Sequence, residues 1–385
     1  MWDKLLAAHL SDRPAELKKA KENGVKIVGY FPGNYVPEEI IYASGAIPLC
    51  LMHGGNPRAA DVALSVVPQI ICPFARSQIG ERLLKKNPYY NMIDMLVAPI
   101  TCQHLKKVAE IWEYHSELDI SKLGIPQQYG NAFEVEYYTD RLKALRDRLQ
   151  AFTGNKITDE SLSNSIELYN RMRGLLRKIS FIRRESPPLL SALDFVKLNH
   201  ACCYADPDFV VKVLDSIYQQ LKHMQPTAEN NAPRILLLGP NIGYGDYTVL
   251  ELVQAAGGEI VIEEICEGVK YYWHDVENKG DLFHSLTKAY LVDRIPCAFM
   301  RNSAKKRLDF ALKLIKDFNV SGVIWYELLC CETYDAEAYL FAQRMEENNI
   351  PMLVLESDYT TAATGQLKTR IEAFIEILMG RLDND

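Results

Sequence analysis

The sequence has no C-x-x-C pair, which removes the usual local support for a zinc ribbon or a thioredoxin-type redox site. It has no G-x-x-x-x-G-K-[ST] stretch either, so it shows no phosphate loop for ATP. Nowhere do about 18 uncharged apolar residues run together, which argues against a membrane-spanning helix. The opening stretch "MWDKLLAAHLSDRPAELKKAKENG" carries charges every few residues and has no apolar core of signal-peptide length. The formal charge of −7 is dispersed, and no lysine or arginine stripe is present for a nucleic-acid strand to follow. Low-complexity tracts and repeats of solenoid period are missing as well. The expectation is a cytoplasmic protein with neither nucleic acid nor membrane as partner.

At 385 residues, with 48% hydrophobic and 24% charged residues, the chain has a globular composition and exceeds the size at which one core stops growing. "VKIVGYF" reads as a strand, and "PEEIIYASGAIP" as a helix opened by proline and closed near glycine. "MIDMLVAPITC" is a second strand. "YYTDRLKALRDRLQAFTG" and "SLSNSIELYNRMRGLLRKISFIRRE" have helical apolar spacing, and this character persists to about Gln225. Beyond the linker-like "QPTAENNAPR", strands and helices alternate through "ILLLGPNIGYGD", "GGEIVIEEIC", "VSGVIWYELLCC" and "IPMLVLESDY". The predicted organisation is α/β: two Rossmann-like doubly wound parallel-sheet domains, 1–136 and 233–385, with a mainly helical segment and linker, 137–232, between them.

Nine cysteines without a secretion signal argue against a disulfide framework. Cys72 follows "SVVPQII", Cys102 follows "MIDMLVAPIT", Cys266 follows "EIVIEEI", and Cys330 with Cys331 follows "VSGVIWYELL". Each comes where an apolar run ends, and ligands of open parallel sheets sit beyond the carboxyl ends of the strands. Thiols from both domains are therefore expected to face one cleft, although cysteine is also a common core residue. Thiolate-only ligation favours zinc or an iron–sulfur cluster, and such distant ligands fit a cluster in an interdomain cleft better than a local zinc loop. Three thiolates would leave one iron open to act as a Lewis acid and electron donor, with a helix start near Cys72 favouring negative charge.

"YVPEEIIYASGAIPL", "ICPFARSQIG", "IDMLVAPITC", "EICEGVKYYWHDV", "VSGVIWYELLCCETYDAEAY" and "IPMLVLESDYTTAATGQLKTRIEAF" resemble, in this order, segments of the 2-hydroxyacyl-CoA dehydratase and benzoyl-CoA reductase subunit family. The resemblance spans nearly the whole chain. It implies one 4Fe-4S cluster per subunit, held by Cys72, Cys102 and one of the adjacent pair, with the spacing to "ETY" favouring Cys331 over Cys330. It also implies a homologous second subunit in a hetero- or homodimer, a separate ATP-hydrolysing iron–sulfur activator protein, and an acyl-CoA substrate. In dehydratases of this type, one-electron reduction of the thioester gives a ketyl radical that expels the 2-hydroxyl group. Reductase relatives reduce an aromatic thioester with the same electron supply, and another branch carries a double-cubane cluster. Cys266 and Cys297 resemble positions of that second cubane, but "IPCAFMRN" lacks the further cysteine associated with it. Gln103 stands where family members often have aspartate.

Other residues invite a role and have a plainer alternative. Gly239 and Gly243 in "GPNIGYGD" could cradle a CoA phosphate, or serve only a turn. Glu39, with Glu38, could be an acid or base at the cleft, or simply answer the helix dipole. Arg76 could meet the cluster or a CoA phosphate, or be a solvated helix residue, and His104 could be a proton donor or alternative ligand, or a surface histidine. Cys202 and Cys203 read as core. Three functions follow: the iron–sulfur subunit of an ATP-activated 2-hydroxyacyl-CoA dehydratase, a lyase; a benzoyl-CoA reductase-type or double-cubane reductase component, an oxidoreductase; or a non-catalytic electron-relay subunit.

Overall fold

A computed structural model describes residues 2–226 and 231–382. The amino-terminal sheet comprises β1 (Ile27–Tyr30), β2 (Ile47–Cys50), β3 (Met95–Ile100) and β4 (Asp119–Gly124), all parallel, in the order β2-β1-β3-β4. The carboxyl-terminal sheet repeats this plan with β5 (Arg234–Leu238), β6 (Glu259–Glu264), β7 (Gly322–Leu328) and β8 (Met352–Ser357), in the order β6-β5-β7-β8. Helices cover both faces, so the central strands are apolar runs without alternation: every residue of β1, β5 and β7 is buried. Each sheet switches direction between its first and third strands in chain order, which opens a crevice at their carboxyl ends.

Two strands differ from the sequence reading. "IPLC" forms β2 rather than the end of a helix; its Pro48 is tolerated because β2 is an edge strand. β4, "DISKLG", is the opposite edge, and its charged, partly exposed residues gave no strand signal. Between the sheets in sequence lie the helices Ala132–Thr153, Asp159–Ile182, Ala192–Cys202 and Pro207–Leu221. The first ends at Gly154 with φ 77°, a conformation glycine adopts freely. Four residues of the linker-like stretch, 227–230, lie outside the described residues.

The helical segment is tied to the second sheet by Arg183, whose guanidinium donates to both carboxylate oxygens of the fully buried Glu263. The two halves meet along the loops after β2 and β5. Tyr244 N–H donates to the Met52 carbonyl at 2.6 Å, and Gly54 N–H donates to the Tyr244 carbonyl at 3.1 Å. The approach is close: a Cβ on Gly243 would stand 2.7 Å from the Gly54 Cα, and one on Gly239 would stand 2.3 Å from the Tyr326 carbonyl oxygen. Gly239 and Gly243 are thus positions where backbone meets backbone, which is the plainer, turn-and-packing role for these glycines.

Candidate metal centre

Three cysteines occupy the same structural position on three different helices. Cys72 caps the helix Pro73–Leu84, Cys102 caps Gln103–His115, and Cys331 caps Glu332–Glu347. Each thiol thus stands at a helix start, which favours negative charge, although the Cys72 and Cys331 sulfurs accept no capping hydrogen bond. Leu105 N–H donates to the Cys102 sulfur at 3.5 Å. Cys102 and Cys331 follow the central strands β3 and β7. Cys72 does not follow a strand: the apolar run before it lies in residues 63–71, which form a short 3₁₀ turn and further turns. Pro73 at the first helical position starts the helix instead.

All three thiols line one cavity of about 80 Å³ between the halves, together with Cys266 and Cys297. Cys330 is not among its lining residues. It adopts φ 62°, a left-handed turn after β7 that brings the next residue, Cys331, to the cavity. Apolar walls come from Phe74, Leu105, Phe299 and Leu328. A mouth beside it is lined by Gln103, His104, Gln127, Glu332 and Thr333. Across the cleft Gly33 N–H donates to Glu267 at 3.2 Å, and the Tyr35 hydroxyl accepts from Cys297 N–H at 3.0 Å.

The electrostatics follow from crowding sulfur away from water. Burial pushes Cys72 up to about 12, with the neighbouring Cys102 adding to the rise and the Ala75 and Phe74 amides opposing it. Burial raises Cys102 against the Leu105 amide, and it raises Cys331 further, with Cys72 and Cys102 both contributing. Each thiol thus feels the others. Cys266 donates to Cys297, which lies below the ordinary thiol value with Lys270 and Arg307 nearby; Cys266 is correspondingly raised. Among the described residues no group of three or more His, Cys, Asp or Glu side chains is arranged to hold a metal ion as it stands.

The remaining expected residues are dispersed. Glu39 is corrected: it is fully buried away from the cavity lining, where Arg173 donates to it at 2.8 Å and Tyr290 donates at 2.8 Å. Glu38 lies beside it, accepting from Tyr30 and Tyr271, and burial and the Glu39 charge push it up to about 7. Arg76 is buried rather than solvated; it donates to the Ile71 carbonyl at 2.9 Å and its charge favours the Cys72 thiolate. His104 is half-buried, and its Nδ1 accepts from the Cys72 amide at 3.3 Å, which leaves Nε2 as the protonated nitrogen of the neutral ring. Cys202 and Cys203 pack against the cores outside the cavity, and the Cys203 carbonyl accepts from Cys50 N–H at 3.1 Å.

Sequence reasoning missed Glu267, Tyr334 and Lys270. Glu267 lines the cavity with its Oε2 unpartnered, and burial pushes it up to about 8, so it holds its proton at neutral pH. Tyr334 lines the cavity and accepts from the buried Lys270 at 2.7 Å. Their nearness to Cys266 and Cys331 in sequence was the available signal.

The fold and the cleft define a two-sheet α/β protein whose cysteines converge between its halves. The chain belongs to the 2-hydroxyglutaryl-CoA dehydratase, D-component family, whose model matches residues 34–378. It is 27% identical over 363 residues to the putative dehydratase subunit YjiM of Escherichia coli, covering 93% of each chain. It is 24% identical to a benzoyl-CoA reductase subunit of Thauera aromatica, covering 85% of this chain and 84% of that one. It is 22% identical to the (R)-2-hydroxyglutaryl-CoA dehydratase subunit beta of Acidaminococcus fermentans, covering 94% and 95%. All three are named as subunits of enzymes. Among the described residues no helix is long and apolar enough to cross a membrane.

Proposed function

We propose that this chain is the iron–sulfur subunit of an ATP-activated 2-hydroxyacyl-CoA dehydratase-type enzyme, with Cys72, Cys102 and Cys331 holding a 4Fe-4S cluster. The observation that carries the reading is the opening of three helix-start cysteines, drawn from both halves, on one cavity. An all-sulfur donor set suits iron–sulfur ligation, and a cluster is larger than an ion, so its thiolates stand wider apart than a mononuclear set. When bound, the cluster supplies a low-potential electron to the thioester carbonyl. Cys72, Cys102 and Cys331 would hold it as thiolates, so loading the site would release their protons.

The chain's own side chains do the rest. Phe74, Leu105, Phe299 and Leu328 keep water from the reacting carbonyl. Glu267 holds a proton at its free Oε2 for the departing hydroxyl. The acyl-CoA thioester enters by the mouth between Gln103 and Thr333. A homologous second subunit and a separate ATP-hydrolysing activator complete the system, since this chain has no phosphate loop.

A second reading is favoured by Cys266 and Cys297, which line the same cavity: a double-cubane cluster serving a reductase. Iron and sulfide counted on anaerobically reconstituted protein separate the two, one cubane per chain supporting the first and two the second. Cys331→Ser is expected to lose most of the iron, whereas Cys330→Ser retains it; the reverse would move the third ligand to Cys330. A spectral change on adding acyl-CoA esters is expected for an open iron, and its absence with every ester points to the electron-relay role.

A further inference from the structure

Behind the cavity wall stands Tyr359, which the cavity lining does not include. It follows β8 and takes φ 70°, a left-handed backbone that a bulky residue rarely adopts. It is 7% exposed, and among the described residues its hydroxyl oxygen has no hydrogen-bond partner. The backbone amide of Gly55 acts on this hydroxyl, and an amide is a donor, so the phenolic proton has no acceptor among the described residues. A phenylalanine would fill this space without an orphaned hydroxyl, so strained backbone is spent on a polar atom with nothing to bind.

The surroundings place that hydroxyl near two of the candidate ligands. β8 pairs with β7 so that Ser357 lies opposite Leu328, and Leu329 N–H donates to the Ser357 carbonyl at 2.9 Å, which sets Tyr359 beside the turn that presents Cys331. On its other side is Gly54: a Cβ there would stand 2.9 Å from the Tyr359 oxygen and 3.4 Å from the Phe74 ring, two residues past Cys72. The hydroxyl therefore stands beside Gly54 on the side of the cleft shared by Cys72 and Cys331, and negative charge on either thiol opposes its ionisation.

We propose that Tyr359 is a positioning residue that donates its phenolic hydrogen to sulfur on the Cys72 and Cys331 side of the metal cluster. This rests on the cluster reading above. Hydrogen bonds to sulfur withdraw electron density and raise the reduction potential. Tyr359 would thus fix how strong a reductant the activator must be, without touching substrate.

The test compares anaerobically reconstituted protein with Tyr359→Phe by iron and sulfide content, redox titration, and resonance Raman spectra in H2O and D2O. Expected are equal iron contents, a lower midpoint potential in the variant, and Fe–S stretching bands whose D2O sensitivity decreases on substitution. Equal potentials and equal D2O shifts overturn the inference while leaving the cluster reading intact. Should Tyr359→Phe not fold, Tyr359→Asn, which tolerates positive φ, is expected to show the same downward shift, and an unchanged potential there overturns the proposal. Absence of iron from the unaltered protein overturns the cluster reading and this inference with it.

Discussion

At the scale of single residues, Glu39 shows how a carboxylate that sequence offers for catalysis is claimed by the core. Its charge is matched by Arg173 in a pair that is almost wholly buried. Removing one partner of such a pair leaves the other charged and unpaired, which costs about 3–5 kcal/mol, whereas replacing both with apolar residues is often nearly neutral. Glu39→Leu is therefore expected to lower the urea midpoint strongly, and Glu39→Leu with Arg173→Met to recover most of the loss. A single variant of normal stability that had lost only activity would return Glu39 to the chemistry. The cysteines were legible because a thiol at the end of an apolar run is unusual enough to notice. Glu267, Tyr334 and Tyr359 were not, since a glutamate or tyrosine is unremarkable in any loop until tertiary contacts bury it. His104 was named from sequence, but its contact was not: its ring reaches an amide 32 residues away in the chain.

At the scale of elements, the helix that carries Cys72 is held by a glycine contact. Gly80 lies against the short helix Pro57–Val62, and a Cβ there would fall 1.8 Å from the Ala59 carbonyl oxygen. Gly80→Ala must push the two helices apart, at about 1–3 kcal/mol by analogy with overpacked cores. Gly174, inside Asp159–Ile182, has only the end of Arg177 near it at 3.9 Å, so Gly174→Ala is expected to be neutral or stabilising by up to about 1 kcal/mol. Thermal unfolding of the two variants checks the contrast, and equal melting temperatures would refute the packing argument. The long helices and central strands were readable from period and composition. The edge strands β2 and β4 were not, because each is short and interrupted by proline or charge, which weakens the apolar signal. The run before Cys72 misled for the opposite reason: "SVVPQII" is β-branched, yet it forms turns because it pairs with no strand.

At the scale of the molecule, the seam between the halves contains a buried acid. Asp246 is 3% exposed, accepts from Tyr326 at 2.6 Å, and is pushed by burial up to about 7 from 3.8. The folded state therefore keeps this proton where the unfolded chain releases it, and the stability it lends below pH 3.8 is lost as pH rises through 7. Asp246→Asn removes that dependence. Its stability relative to the unaltered protein is expected to rise by on the order of 4 kcal/mol between pH 4 and pH 8, read from urea unfolding at each pH. A constant difference would show that Asp246 ionises normally. The two-sheet plan and the gathering of Cys72, Cys102 and Cys331 in one cleft could be read from sequence, because strand–helix alternation obeys a simple topological rule. The closeness of the seam could not, since it depends on glycines meeting across 189 residues, Gly54 and Gly243. The spread of the thiols has a consequence for biosynthesis. Cys331 is translated 229 residues after Cys102, a delay of roughly ten to fifty seconds at ordinary elongation rates. During that interval the first two thiols emerge from the ribosome with their opposite wall still unmade, so the three-thiol site cannot be completed until Cys331 has emerged as well.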